Sequence, residues 1–327
     1  MTLVTGGAGY IGSHVVRLLA ERRERVVIVD DLSTGSLARV PDVPFVHLDL
    51  AGEDAEGALR QVLSDHGVTS VMHFAARKQV GESVTFPTRY FGCNVGGMTN
   101  LLSAMEAVGV RELVFSSSAA VYGETTGPAV IDEQVPCRPV NPYGQSKLIG
   151  EWMTQNAAAA WGLRAADLRY FNVAGTGWPD LADTVATNLV PIVVEAALAA
   201  QPVTVFGTDW PTSDGTCVRD FIHVLDLAEA HIAALDHVRS GSPIGARVFN
   251  LGTGTGSSVL DVVDAVRVCS GIEIRTLDAP RRPGDPASVV ADPSHANVVL
   301  GWRASRTLDD IAGSAWRAAI ARHTLAA

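Results

Sequence analysis

The chain has 327 residues, enough for two ordinary domains or one large α/β unit with an appendage. Apolar residues make up 47% and charged residues 18%, which suits a sizeable packed core and argues against disorder. With 25 basic against 35 acidic residues the net charge is −10, so nucleic acid and anionic lipid meet no general attraction.

Cys93, Cys137, Cys217 and Cys269 are widely spaced without a CxxC pair, which points to reduced thiols and a cytoplasmic protein. No basic segment followed by a long apolar one opens the chain, so no signal peptide is expected. The longest apolar stretch, Val185–Ala200, is interrupted by Asn188, Pro191 and Glu195 and should not cross a membrane.

In chain order, short β-branched runs predict strands at Leu3–Thr5, Val26–Val29, Phe45–Leu48, Val71–Phe74, Leu113–Ser116 and Ala165–Arg169. Helical patterns fall between them, including Ser13–Arg23, Val95–Val108 and Gly144–Trp161. This alternation predicts a doubly wound parallel sheet of the Rossmann type, covered on both faces. After Asn172 the rhythm changes. Gly, Pro, Asp and Thr cluster through Gly175–Asp183 and Gly207–Gly215, and helical patterns resume at Val224–His237 and Val259–Val268. The expected division is a nucleotide-binding domain over 1–172, with a returning segment around 218–250, and a smaller α/β substrate region over 173–327. The cleft between them is the natural ligand site.

The first strand runs into Gly6, Gly9 and Gly12, a GxxGxxG pattern that opens a helix. Glycine allows the tight turn and the close approach of pyrophosphate, and the helix N-terminus presents N–H groups to phosphate. Eighteen residues beyond Gly12, Asp30 ends the second strand, with Asp31 after it. An acid there accepts the adenine-ribose hydroxyls and repels a 2′-phosphate, favouring NAD over NADP. A second glycine run, Gly252–Gly256, has no such acid behind it and reads as a plain turn.

Tyr143 and Lys147 lie four apart behind Asn141-Pro142 and so share one face of a helix. The chain has only two lysines, Lys78 and Lys147, beside 23 arginines. A lysine kept at 147 implies a compact point charge that arginine's planar fork replaces poorly. A phenol acting as base near neutrality needs its pKa lowered by about three units, roughly 4 kcal/mol. An ammonium about 4 Å away supplies about 4 kcal/mol at an effective dielectric near 20. Ser116, Ser117 and Ser118 end a strand 25 residues before Tyr143, where ligands of parallel sheets bind. No HExxH or GxSxG competes, and His73 and His223 follow apolar residues as structural histidines do.

These residues resemble the UDP-glucose 4-epimerases, a family of extended short-chain dehydrogenases/reductases. The likeness runs through Val4–His14, His73–Ala75, Val80–Val84, Ser116–Ala119 with Val121–Gly123, Pro142–Leu148 and Arg169–Asn172. It continues through Asp214–Thr216 with Val218–Asp220, Ile222–Ala228, Asn250–Gly252 and Ser258–Asp261. The glycine and Tyr-x-x-x-Lys motifs mark only the superfamily, whereas VGESV and DGTxVRDxIHVxDLA are far more specific.

The resemblance implies a tightly held NAD+ and a UDP-hexose substrate inverted at C4. Tyr143 would be the base, Ser118 would orient the 4-oxygen, and Lys147 would lower the tyrosine pKa and bind the nicotinamide ribose. Implied cofactor contacts are Gly6, Gly9, Tyr10, Ile11, Gly12, Asp30, Asp31, Ser33, Asp49, Leu50, Phe74, Ala75, Ala76, Lys78, Asn94, Ser116, Tyr143, Lys147 and Phe171. Implied substrate contacts are Ser118, Tyr143, Asn172, Asn188, Leu189, Thr204, Phe206, Arg219, Arg282, Asp285 and Val289. No metal is implied. Family members commonly pair helices into homodimers, for which Val95–Val108 and Gly144–Trp161 are the candidates. Ala76, Ala120 and Val289 depart from residues common in the family. A small residue at 289 leaves room for N-acetylated sugars. A 4,6-dehydratase would need an acid pair beside the serine, where Ala119 and Ala120 stand instead. A pentose or uronate 4-epimerase, or a nucleotide sensor with a dead site, are the remaining alternatives.

Overall fold

A computed structural model describes the chain except residues 125–129, 184, 186, 187, 242, 283 and 327. Its centre is a seven-stranded parallel sheet. In spatial order the strands are Gly245–Leu251, Arg164–Tyr170, Glu112–Ser118, Ser70–His73, Thr2–Thr5, Val26–Asp30 and Phe45–His47. The inner strands are largely buried on both faces, as a place between two helical layers requires. Val4, Ile28, Met72, Val114 and Leu168 pack on one face against Val15, Val16 and Leu19 of helix Tyr10–Glu21 and Leu227 and Leu235 of helix Val224–Arg239. Leu3, Val27, Val71, Leu113 and Ala165 pack on the other face against Leu59, Leu63, Leu101, Met105 and Ala157. The six predicted strands are all present, and a seventh comes from residues 245–251, inside the expected returning segment.

Strand Thr2–Thr5 pairs with Val26–Asp30 on one side and Ser70–His73 on the other, so the chain leaves its two neighbours in opposite directions. A crevice opens at such a switch point, beyond the carboxyl ends of the strands.

A smaller sheet lies at one end. Strand Val218–His223 pairs in parallel with Asn172–Ala174 and Ser288–Ala291, and antiparallel with Gly256–Ser258. Strand Ser288–Ala291 also takes Val130–Ile131 from the first half of the chain. A third core, including Val190, Val194, Val262, Val266, Ile311 and Trp316, packs helices Leu189–Leu198, Val259–Ser270 and Leu308–Ala326 together.

One predicted helix divides. The α-helix begins at Gly97 and ends at Val108, and a wider π turn, Phe91–Gly96, precedes it. The extra residue in that turn turns Asn94 inward, where its amide bonds Arg77. Among the described residues no helix is long and apolar enough to cross a membrane, and no group of His, Cys, Asp and Glu could hold a metal ion.

Candidate active site

The turn after the first strand is built for close approach. Gly6 has φ +72°, and a Cβ on it would lie 2.6 Å from the Ala75 nitrogen; a Cβ on Gly12 would meet the Gly6 carbonyl and lie 2.9 Å from Gly7 Cα. Gly9 begins the helix with no side-chain cap, so the first N–H groups point into the crevice. The Asp30 side chain is buried and accepts from Ala8 N at 3.0 Å and Leu32 N at 2.8 Å. Burial nonetheless raises its pKa. Asp31 accepts from the Ser33 amide and hydroxyl at 2.9 and 2.7 Å.

These residues border a cavity of about 330 Å³. Gly6, Gly9, Tyr10, Ile11, Gly12, Asp30, Asp31, Ser33, Asp49, Leu50, Phe74, Ala75, Ala76, Lys78, Ser116, Tyr143 and Lys147 all line it. Asn94 and Phe171 are not among its lining residues. The Asn94 amide is spent on the Arg77 backbone and the Ser146 hydroxyl, and Phe171 is buried among Val121, Tyr122 and Leu148. Arg39, Asp183 and Val185 also border the cavity, and the sequence reading missed them. Arg39 donates to the Ala182 carbonyl at 2.9 Å, and the Tyr10 hydroxyl donates to the Gly175 carbonyl at 2.5 Å. Only tertiary contact brings the Gly175–Asp183 loop there, so no local pattern could have signalled it.

The helix Pro142–Trp161 starts where expected. Asn141 Oδ1 accepts from Gly144 N at 2.9 Å, and proline fills the first helical position. Gly150 lets the helix lie close to the sheet: a Cβ there would sit 2.5 Å from Phe115 Cζ. Lys147 is 4% exposed and donates to the Ser116 carbonyl at 2.7 Å. Burial lowers its pKa to about 7. Its ammonium lies 6.0 Å from the centre of the Tyr143 ring. Burial raises the Tyr143 phenol, against which the hydrogen-bonded Ser118 side chain acts. Burial thus acts on both groups, against the charged form of each. Ser118 ends its strand with extended backbone, and its hydroxyl accepts from Ala120 N at 3.1 Å.

The small sheet carries three predicted substrate residues, Asn172, Arg219 and Val289, while Thr204 and Phe206 lie on a separate two-stranded sheet. Arg219 and Val289 are direct neighbours in register, and Asn172 lies opposite Phe221 on the adjoining strand. Arg219 donates to the Pro286 carbonyl at 2.9 Å and pairs with Asp285 at 3.7 Å. Arg282 stacks over the Phe206 ring at 3.8 Å. Val289 packs against the cluster holding Tyr122 and Phe171. Thr204 faces solvent on strand Val203–Phe206, and Asn188 precedes Leu189 at a helix start without a side-chain cap bond. The Gly252–Gly256 turn is filled by the protein itself: Asp220 accepts from Thr253 N, Thr253 Oγ1 and Gly254 N. His73 is structural, bonded to Thr5 Oγ1 at 2.7 Å, and His223 caps its helix at Leu225 N.

Known proteins bear on this geometry. The UDP-glucose 4-epimerase of Corynebacterium glutamicum is 45% identical over 320 residues, 96% of this chain and 94% of that protein. That of Bacillus subtilis is 43% identical, covering 96% and 95%. The crystal structure of the Stenotrophomonas maltophila UDP-glucose-4-epimerase with bound NAD and formylated UDP-arabinopyranose superposes with a TM-score of 0.94, at 38% identity and 99% of both chains. The Bifidobacterium longum enzyme in complex with NAD+ and UDP gives 0.90, at 36% identity and 98% of both chains. The model of the NAD dependent epimerase/dehydratase family matches residues 2–252, and the chain belongs to that family.

Proposed function

We propose that the chain interconverts UDP-galactose and UDP-glucose by inversion at sugar C4, using NAD that stays bound through the cycle. The carrying observation is that Tyr143 and Lys147 border the same cavity as the glycine turn and Asp30, with Ser118 at the adjoining strand end. The cradle fits the cofactor: the glycine turn has no room for a Cβ, and two carboxylates stand where ribose hydroxyls need acceptors. UDP-glucose 4-epimerase relatives at 42–45% identity over nearly the whole length support the reaction.

Held by the glycine turn, Asp30 and Asp31, NAD would supply a hydride acceptor and donor for sugar C4. Tyr143 accepts the proton of the 4-hydroxyl and gives it back, and Ser118 holds that oxygen within reach. Lys147 contributes its ammonium and a hydrogen bond to the nicotinamide ribose. The Lys147 ammonium and, with the cofactor bound, the positive nicotinamide would both favour the charged phenol. Arg219, Arg282 and Asp285, with Phe206, would keep the UDP anchored while the sugar turns over. The other residues implied by resemblance, Phe171 apart, keep their roles in this reading, with Asn94 acting through the Arg77 backbone. The division at residue 172 belongs to it too, as do a cytoplasmic location and a homodimer through helices Gly97–Val108 and Pro142–Trp161.

The test is conversion of UDP-galactose by the purified protein without added NAD, beside a Tyr143→Phe variant. Conversion that the variant loses supports the reading, whereas silence with NAD bound would move it to a pentose or uronate epimerase. Val289, where a larger side chain would close the sugar pocket, favours a second activity on UDP-GalNAc. Failure on UDP-GalNAc beside good UDP-galactose turnover would remove that extension.

A further inference from the structure

Behind the cavity, one buried polar cluster joins the elements of the candidate catalytic centre. Ser117 and Arg169 are direct neighbours on adjacent strands. Their side chains leave the sheet on the face opposite Ser116, Ser118 and Tyr170. Glu151 reaches them from the helix of Tyr143 and Lys147, at successive four-residue steps along it. Its Oε1 accepts from Ser117 Oγ at 2.5 Å and Arg169 Nε at 2.9 Å, and its Oε2 accepts from Arg169 Nη2 at 2.6 Å. The two charged side chains are 1% and 6% exposed.

The chain of bonds continues outward. Arg169 Nη1 donates to the Tyr122 hydroxyl at 2.9 Å, that hydroxyl donates to Asn250 Oδ1 at 2.7 Å, and Asn250 Nδ2 donates to the Ile131 carbonyl at 2.8 Å. Ile131 pairs with Ala291, on the strand that carries Val289. Asp167 is fully buried beside this pair. Its Oδ2 accepts from Thr154, and its Oδ1 has no partner among the described residues. Burial and the Glu151 charge raise its carboxyl well above the usual range.

A buried pair of this kind adds little net stability over apolar packing, but its bidentate fork fixes distance and angle. We propose that Glu151 is a positioning residue: by gripping Ser117 and Arg169 at once, it locks the helix of Tyr143 and Lys147 against the strand end of Ser118. The inference rests on the epimerase reading, because alignment of these three residues matters only if they act together on one sugar oxygen. A misplacement near 1 Å at reacting groups can cost about 100-fold in rate.

The experiment compares wild type, Glu151→Gln and Ser117→Ala as purified holoprotein, reading kcat, KM for UDP-galactose and bound NAD per chain. Glutamine keeps the volume, but its amide nitrogen cannot accept from Arg169. The expected result is a fall in kcat of about tenfold for Glu151→Gln and about threefold for Ser117→Ala, with KM within about twofold and NAD retained. Wild-type kcat in both variants, or a raised KM at unchanged kcat, overturns the proposal. Should Glu151→Gln not fold, Ser117→Ala decides by the same criterion. If wild type itself does not turn over UDP-galactose, the activity reading fails, and ultraviolet difference titration of the Tyr143 phenol against Tyr143→Phe still decides the positioning role. Lys147, Tyr170 and the Ser118 hydroxyl surround that phenol in every variant. A displaced midpoint in Glu151→Gln or Ser117→Ala supports the proposal, and coincident midpoints in both overturn it.

Discussion

Burial opposes the charge on Lys147, bringing its pKa from 10.5 to about 7. A base with a depressed folded pKa binds fewer protons folded than unfolded between those two values, so stability rises with pH across that window. In protein freed of nucleotide, Lys147→Met should therefore be most stabilised relative to wild type at or below roughly pH 7, with the gap closing toward about pH 10. Urea midpoints across that range check this, and a pH-independent gap would contradict it. Asp30 leads to a prediction about retention. Its carboxylate holds Ala8 N and Leu32 N, so Asp30→Ala loosens the turn as well as removing the ribose acceptor. The variant should purify with less than one NAD per chain. The Tyr143–Lys147 pair and the glycine turn were legible in the sequence because helix period and glycine geometry are local rules. The bond that holds the Lys147 ammonium was not, because the Ser116 carbonyl lies on a strand 31 residues earlier.

Among the elements, helix Pro142–Trp161 carries most of the chemistry, and its seating depends on a cap and a glycine. Asn141→Ala removes the bond to Gly144 N and should cost about 1 kcal/mol, fraying the turn that bears Tyr143. Thermal melting reads the loss, and kcat should fall with it. Gly150→Ala places a methyl against the Phe115 ring and should destabilise by about 1–3 kcal/mol through overpacking. An unchanged melting temperature would show that the helix can shift outward freely. Five of the six predicted strands were readable because each is a short apolar run with a β-branched residue; Ala165–Arg169 has none and rested on the alternation of elements. The π turn at Phe91–Gly96 was not, since its extra residue serves Asn94, whose partners lie 17 and 52 residues away.

The whole molecule is organised by chain crossings. Strand Gly245–Leu251 returns to the edge of the large sheet, and Val130–Ile131 joins the strand that carries Val289. Composition and periodicity located the change of rhythm after Asn172, but not this second crossing, which joins segments about 160 residues apart. Trp152 is 53% exposed on helix Pro142–Trp161, as a proposed dimer face would require. Sedimentation should give twice the 34.4 kDa chain mass, and Trp152→Glu should shift it toward the monomer. The central claim is hydride removal and return at C4 within one closed site. Its most direct test is conversion of UDP-galactose deuterated at C4 in ordinary water, without added NAD. The account predicts UDP-glucose with deuterium retained at C4. Product carrying solvent hydrogen at C4 would contradict it.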